Sequence, residues 1–239
     1  MTARIKILFS DRVRDHRLRS GWGVSYLIDD EILFDTGESG PGLIRNMEYL
    51  GCDIRALRMI VISHDHWDHT GGLWDVLERR SGITVCGCPG FSDELKDRIR
   101  VKGARYRDLR DLTRLRDDVY SSGEIIGTYK SRPISEQSLA LLTSGGLSIV
   151  SGCAHPGIER IVRKLSGRFP DQPVRTVIGG FHLKDASSRI IRQTFRALEP
   201  YRITRIGPFH CSGAQAEAYA LRTYGKSFVS LRAGDSLDV

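Results

Sequence analysis

Residues 64–69 read "HDHWDH", so three of the chain's seven histidines and two carboxylates fall within six positions. Imidazoles and ionised carboxylates are the donors that first-row divalent metals take at about 2.0–2.2 Å, and this spacing points to metal ligation. In an extended or tightly turned segment His64 and His66 project to the same side and can share one ion. Asp68 and His69 arrive from the next turn and can reach a second ion nearby. Two ions roughly 3.5–4 Å apart can hold a bridging hydroxide and clamp the attacking and leaving oxygens of a hydrolysis. Asp65 falls out of phase and reads as an outer carboxylate that orients an imidazole N–H. Trp67 reads as packing rather than chemistry.

Three more histidines stand at the ends of apolar runs: His155 in "GCAH", His182 in "GGFH" and His210 in "GPFH". One such residue would be an ordinary structural histidine. Three at matching positions, added to the 64–69 cluster, point to one site at the C-terminal edge of a sheet, where open α/β folds place their chemistry.

The elements that must position these residues are legible from apolar patterning. Residues 4–10, 23–29 and 31–37 read as an antiparallel opening with Asp29 and Asp30 as a turn. The run at 57–63 is continuously apolar, as in a strand buried on both faces. Leu43, Met47 and Leu50 have helical spacing, with Gly51 placed as a C-terminal cap. Leu73, Val76 and Leu77 mark a helix directly after the cluster. Strands at 146–152, 174–180 and 203–208 alternate with helices at 157–166, 187–198 and 213–224, and "KSFVSLRAG" (226–234) reads as a closing strand. The segment 87–135 is more charged and less periodic, which suits an insertion or cap. One α/β domain over residues 1–239 is the expectation.

Composition bounds the function. With 239 residues, 40% apolar and 27% charged, the chain is long enough for a substantial core. No apolar run approaches a membrane span or the core of a signal peptide. Five cysteines in no framework pattern favour a reducing, cytoplasmic setting. The net charge of +7 is concentrated at 96–116, with nine basic against three acidic side chains. That segment is either solvated surface or a clamp for an anionic substrate, guanidinium being well matched to phosphate. A nuclease would need the basic surface to run into the site and no extra nucleic-acid domain is recognisable. A small anionic substrate is therefore expected, and no membrane partner.

The His-x-His-x-Asp-His pattern in "SHDHWDHTGGL", the preceding "FDTG" (34–37) and the later His-bearing strand ends resemble the metallo-β-lactamase superfamily over residues 4–232. The resemblance implies an α/β fold, specifically a four-layer αββα sandwich of two mixed β-sheets, with the metals at one edge. It implies that Asp35 supports the metal loop by hydrogen bonding. "GLSIVSGCAHPGI", "VIGGFHL" and "HCSG" are most similar to a branch named for a dihydropterin ribofuranosyl-aminobenzene phosphate synthase.

The chain departs from that superfamily's pattern in two places. No histidine occurs between His69 and His155, and Cys153 stands where a bridging aspartate is usual. In one assignment His64, His66 and His155 hold the first metal while Asp68, His69 and His210 hold the second. In the other, Cys153 ligates the second metal as thiolate. The first is preferred. His182 is a ligand, a proton donor to the leaving group or an oxyanion contact, and with Asp68 it is the candidate catalytic residue. One or two divalent ions are expected, zinc foremost, with manganese and iron also compatible. The leading expectation is a hydrolase that uses a metal-bound hydroxide on a small, phosphoester-containing anion. The branch's pterin-forming synthase activity is the alternative within enzymes. A non-catalytic metal- or ligand-binding module on the same fold is the alternative outside them.

Overall fold

The computed structural model describes residues 2–239. Contacts divide it into two compact units, residues 3–110 with 232–238 and residues 111–231 with Thr2 and Val239.

In the first unit, β1 (Arg4–Phe9), β2 (Ser25–Ile28) and β3 (Ile32–Phe34) form the antiparallel opening. Asp29 and Asp30 both have positive φ, +48° and +61°, in the tight turn between Ile28 and its partner Ile32. The chain then crosses through α1 (Gly40–Tyr49) to β4 (Met59–Val61), parallel to β3. Ser39 caps α1 by accepting from the Gly42 N–H, and Gly51 ends it at φ +68°, as its position in the sequence indicates. After α2 (Trp67–Thr70) and α3 (Leu73–Arg79) come β5 (Thr84–Gly87), α4 (Asp93–Val101) and β6 (Arg105–Asp108), both strands again parallel. Leu43 and Met47 of α1 and Leu73, Val76 and Leu77 of α3 share one buried cluster with Leu8, Leu27 and Ile60 of the sheet. Burial of each such side chain stabilises by roughly 1.5–3 kcal/mol.

The second unit begins with β7 (Thr113–Arg116) and β8 (Val119–Ser121), followed by the separate hairpin of β9 (Ile125–Tyr129) and β10 (Arg132–Glu136). Next come β11 (Leu139–Thr143), β12 (Gly146–Ser151), α5 (Ile158–Arg168), β13 (Val174–Gly179), α6 (Ser188–Leu198), β14 (Arg205–Pro208) and α7 (Gly213–Tyr224). The sheet order is β14-β13-β12-β11-β8-β7, with β12, β13 and β14 parallel. Ile161 and Leu165 of α5 and Phe195 of α6 pack with Ile149, Val177 and Ile206 of that sheet. The chain closes with β15 (Ser236–Asp238) antiparallel to β1, making the first sheet β15-β1-β2-β3-β4-β5-β6. Both sheets are mixed, as expected of the α/β class. Among the described residues, no helix is long and apolar enough to cross a membrane.

Two expectations meet a different structure. "KSFVSLRAG" is not a strand: it makes one isolated bridge in each unit, Ile206 with Phe228 and Val13 with Ala233, and the closing strand forms later, at 236–238. Its apolar residues pack without a continuous partner edge. The 87–135 segment, expected as a cap or insertion, supplies β6 at one edge of the first sheet, β7 and β8 at the edge of the second, and the β9–β10 hairpin. The outer strands β6 and β7 are half-exposed or exposed along most of their length, which admits charge at nearly every position and hides the alternation.

Gly23 is a point where the backbone leaves no freedom. It sits at φ +98° and a Cβ there would overlap the Asp68 carbonyl. Gly23→Ala is expected to cost about 2 kcal/mol from that strain and to displace the Asp68 loop. Urea denaturation checks the first effect and titration of divalent metal the second.

Candidate metal centre

In the first unit the site grows from the ends of two parallel neighbours. Phe34 of β3 pairs with Val61 of β4, so Asp35 and the loop at 62–69 leave the same sheet edge. Asp35 takes φ +58°, a left-handed conformation that Asp tolerates better than most residues, and it is fully buried. Its Oδ1 accepts from the Ser63 N–H at 2.6 Å, and its Oδ2 accepts from the Ser63 hydroxyl at 2.7 Å and from His69 Nδ1 at 2.7 Å. The Ser63 oxygen in turn lies 2.8 Å from His64 Nδ1 and accepts a hydrogen bond from it, the hydroxyl hydrogen being already committed to Asp35. This chain sets the tautomers: His64 and His69 carry their protons on Nδ1 and present Nε2 as the donor atom. The role that the resemblance implied for Asp35 is thus visible as hydrogen bonds.

The donor atoms are spaced as ligands of shared ions would be. His64 Nε2 and His66 Nδ1 are 3.1 Å apart, and Asp68 Oδ2 and His69 Nε2 are 3.5 Å apart. Two donors at about 2.05 Å in a tetrahedral shell stand roughly 3.3 Å from each other. Thr36 pins the loop by donating its amide N–H (2.9 Å) and hydroxyl (2.8 Å) to the His69 carbonyl. His64, Asp68 and His69 are buried.

Two neighbours of these residues differ from expectation. Asp65 orients no imidazole; its Oδ2 accepts from the Ser92 N–H at 3.2 Å and so ties the loop to the start of α4. Trp67 is 61% exposed, because its place at the first turn of a short helix directs it outward.

In the second unit the three histidines stand just beyond the parallel strands β12, β13 and β14, whose last residues are in register, Ser151 with Gly179 and Gly179 with Pro208. Ala154, His182 and His210 have φ of +59°, +52° and +55°. Such strain persists only where surrounding contacts enforce it, and it collects at functional sites. The side chains converge in two groups, Cys153 with His155 and His182, and Cys153 with His210 and Cys211. In each group the potential ligand atoms lie within 4.8 Å of one another. Cys153 Sγ is 3.5 Å from His210 Nε2. His182 is exposed and the other four are buried.

A buried carboxylate again organises the loop. Glu136, the last residue of β10, accepts from the N–H groups of Cys153 (3.0 Å), Ala154 (2.7 Å) and His155 (2.8 Å), and from His155 Nδ1 at 2.8 Å. His155 therefore also presents Nε2. Burial opposes ionisation of Glu136, but these bonds outweigh it and hold the carboxyl below its ordinary range. At Asp35 burial prevails over His69 and Ser63, and its carboxyl is pushed up.

Burial also raises Cys211, yet hydrogen bonding with Cys153, the charge of His210 and the His182 contact carry its thiol well below the ordinary value. The hydrogen bond to Cys211 in turn raises His182. Cys86, a core thiol on β5, shows the contrast, being pushed up to about 11 by burial. Sequence reasoning missed Glu136 and Cys211. Glu136 sits in "ISEQS" with no motif around it, whereas the adjacency of Cys211 to His210 was a usable signal.

His16 lies apart, with its side chain 94% exposed beside Asp15. The basic segment is mostly engaged: Lys102 with Glu78 at 2.7 Å, Arg100 with Asp97 at 2.6 Å, Arg114 with Asp117 at 2.7 Å and Arg98 stacked on Trp74 at 3.6 Å. Exposed pairs of this kind contribute little stability, and they leave fewer free cations than the raw count implies.

Oriented imidazoles and a carboxylate thus leave one sheet edge of the first unit, and imidazoles and thiols stand at the strand ends of the second. The chain belongs to the metallo-β-lactamase superfamily, whose family model matches residues 23–181. It is 34% identical over 258 aligned positions, covering 89% of this chain and 88% of the other, to the 7,8-dihydropterin-6-methyl-4-(β-D-ribofuranosyl)-aminobenzene-5'-phosphate synthase of Methanocaldococcus jannaschii. Among solved structures, it resembles Tm1679, a metal-dependent hydrolase of the β-lactamase superfamily, with a TM-score of 0.84, 25% identity and 99% of each chain covered. The short form of human tRNase Z, at a TM-score of 0.63 and 15% identity over 98% of each chain, shares the fold.

Proposed function

We propose that this chain is a metal-dependent enzyme acting on a small phosphate-bearing substrate, with hydrolysis of an ester as the leading reaction. The observation that carries this reading is the pair of carboxylate-oriented donor sets. Asp35 and Ser63 commit His64 and His69 to Nε2, and Glu136 commits His155 to the same nitrogen. In the proposed assignment His64, His66, Asp68 and His69 supply metal donors in the first unit, and His155 and His210 supply them in the second. Ions held there would supply Lewis-acid polarisation of the substrate and a water acidic enough to react near neutral pH. Zinc suits the imidazole-rich donors best.

The chain's own groups have the remaining tasks. His182, exposed and favoured in its protonated form by Cys211, delivers a proton from its imidazole to the leaving oxygen. Asp68 accepts a hydrogen bond from the attacking water and aligns it. The basic surface draws an anionic substrate toward the protein.

A second reading is displacement of a leaving group from the 6-methylene carbon of a dihydropterin by a ribofuranosyl-aminobenzene phosphate, which loses a proton as the new bond forms; it is favoured by one specific observation, the 34% identity to the synthase across most of both chains. One experiment separates the two. Purified protein is stripped by chelation, reloaded with zinc, manganese or iron(II), and given ribofuranosyl-aminobenzene 5'-phosphate with and without a reduced pterin donor. Products are followed by mass spectrometry. Metal-dependent hydrolysis without the pterin supports the leading reading, and an adduct carrying both fragments supports the second. Absence of turnover with metal bound would return the non-catalytic module.

A further inference from the structure

We infer that Cys211 and Cys153 are both thiolate ligands, together with His210, of a soft-donor metal site in the second unit. The inference rests on the metal-dependent reading above and adds two sulfur donors beside His210 to those it named. Sγ of Cys153, Sγ of Cys211 and a ring nitrogen of His210 lie within 4.8 Å of one another, and all three residues are buried. The 3.5 Å between Cys153 Sγ and His210 Nε2 matches a shared ion closely. A sulfur at about 2.3 Å and a nitrogen at about 2.05 Å in one tetrahedral shell are roughly 3.5 Å apart.

The backbone is arranged to make this set. Consecutive residues in an extended strand point to opposite sides. His210, at φ +55° and opening the short turn 210–212, breaks that alternation directly after β14, so His210 and Cys211 both join the cluster. Gly180 is the counterpart from the next strand end. A Cβ there would stand 2.6 Å from Cys211 Sγ, so glycine leaves room for the sulfur.

Two sulfurs change which ion is favoured. An imidazole–carboxylate set accepts manganese or magnesium, whereas a set with two thiolates selects zinc or iron(II) against them. Cys153 Sγ also lies within 4.8 Å of donor nitrogens on His155 and His182, so one thiolate stands within reach of both donor groups of this unit.

The test is cobalt(II) substitution of the full chain under reducing, anaerobic conditions, read by absorption and by cobalt content. Wild type is expected to show intense near-ultraviolet thiolate-to-cobalt charge transfer. Cys153→Ser and Cys211→Ser should each lose about half of that absorption and the double variant all of it, because intensity follows the number of sulfur ligands. Cys86→Ser, a cysteine outside the site, should leave it unchanged. Zinc-edge X-ray absorption of the wild type needs no variant and should show two sulfur neighbours at about 2.3 Å. Cobalt bound without charge transfer, or zinc with nitrogen and oxygen neighbours alone, would overturn the thiolate site while the metal-dependent reading stood. Full absorption in Cys211→Ser would overturn the role of Cys211. Failure of the wild type to bind any divalent ion would overturn both.

Discussion

Glu136→Ala is expected to destabilise the protein by about 4 kcal/mol and to lower the melting temperature by about 10 °C, seen in urea and thermal unfolding. Its carboxylate accepts four hydrogen bonds, three of them from the consecutive backbone amides of Cys153, Ala154 and His155. Bonds to a charged acceptor contribute about 1.5–3 kcal/mol each and do not add fully. Truncation leaves those buried N–H groups without an acceptor and frees Ala154 from a strained φ of +59°. Glu136→Gln retains one oxygen and should cost less than half as much.

The pH dependence follows from the direction of the shift. Glu136 is held below its ordinary value of 4.5, so its contribution is fully present above about pH 5 and is lost as pH falls through its folded value. The gap in stability between wild type and Glu136→Ala should therefore narrow on acidification. A gap that stays constant down to about pH 3 would show that the carboxylate's charge is not what holds the loop.

Asp35→Asn is expected to weaken metal binding by roughly 10–100-fold with only a modest loss of stability, measured by competition with a chromophoric chelator and by urea unfolding. Asn fits the left-handed backbone at φ +58° and can still accept from the Ser63 N–H. Its amide, however, presents an N–H where Oδ2 accepted from His69 Nδ1 and the Ser63 hydroxyl. His69 must then turn Nδ1 into an acceptor and carry its proton on Nε2, the nitrogen facing Asp68 at 3.5 Å. A ligand that must first lose that proton binds a cation poorly. Asp35→Ala adds the strain of alanine at positive φ and the loss of three hydrogen bonds, about 3 kcal/mol in all. Equal metal affinity in wild type and Asp35→Asn would remove Asp35 from the orientation of His69.

Much of this was legible along the chain, for a reason that differs from residue to residue. His64, His66, Asp68 and His69 stand out because their pattern is local, set by six consecutive residues. Strands β4, β12 and β13 declare themselves because a parallel strand covered on both faces must be apolar throughout. The edge strands β6 and β7 do not, because one open edge and partial exposure admit arginine and aspartate. Asp65 was misread because phase along a strand says which way a side chain leaves the backbone and not what it meets there. Its partner, the Ser92 N–H, arrives from 27 residues away.

By itself, then, the sequence determined the α/β class, the His- and Asp-rich loop at 64–69 and the three His-bearing strand ends, since each depends on residue type and spacing over a few positions. Only the tertiary structure decided which carboxylate orients which imidazole and which cysteines stand beside which imidazoles. Asp35 meets His69 across 34 residues, Glu136 meets His155 across 19 and Cys153 meets His210 across 57. Contacts of that separation are set by strand order and register, and no local pattern encodes them.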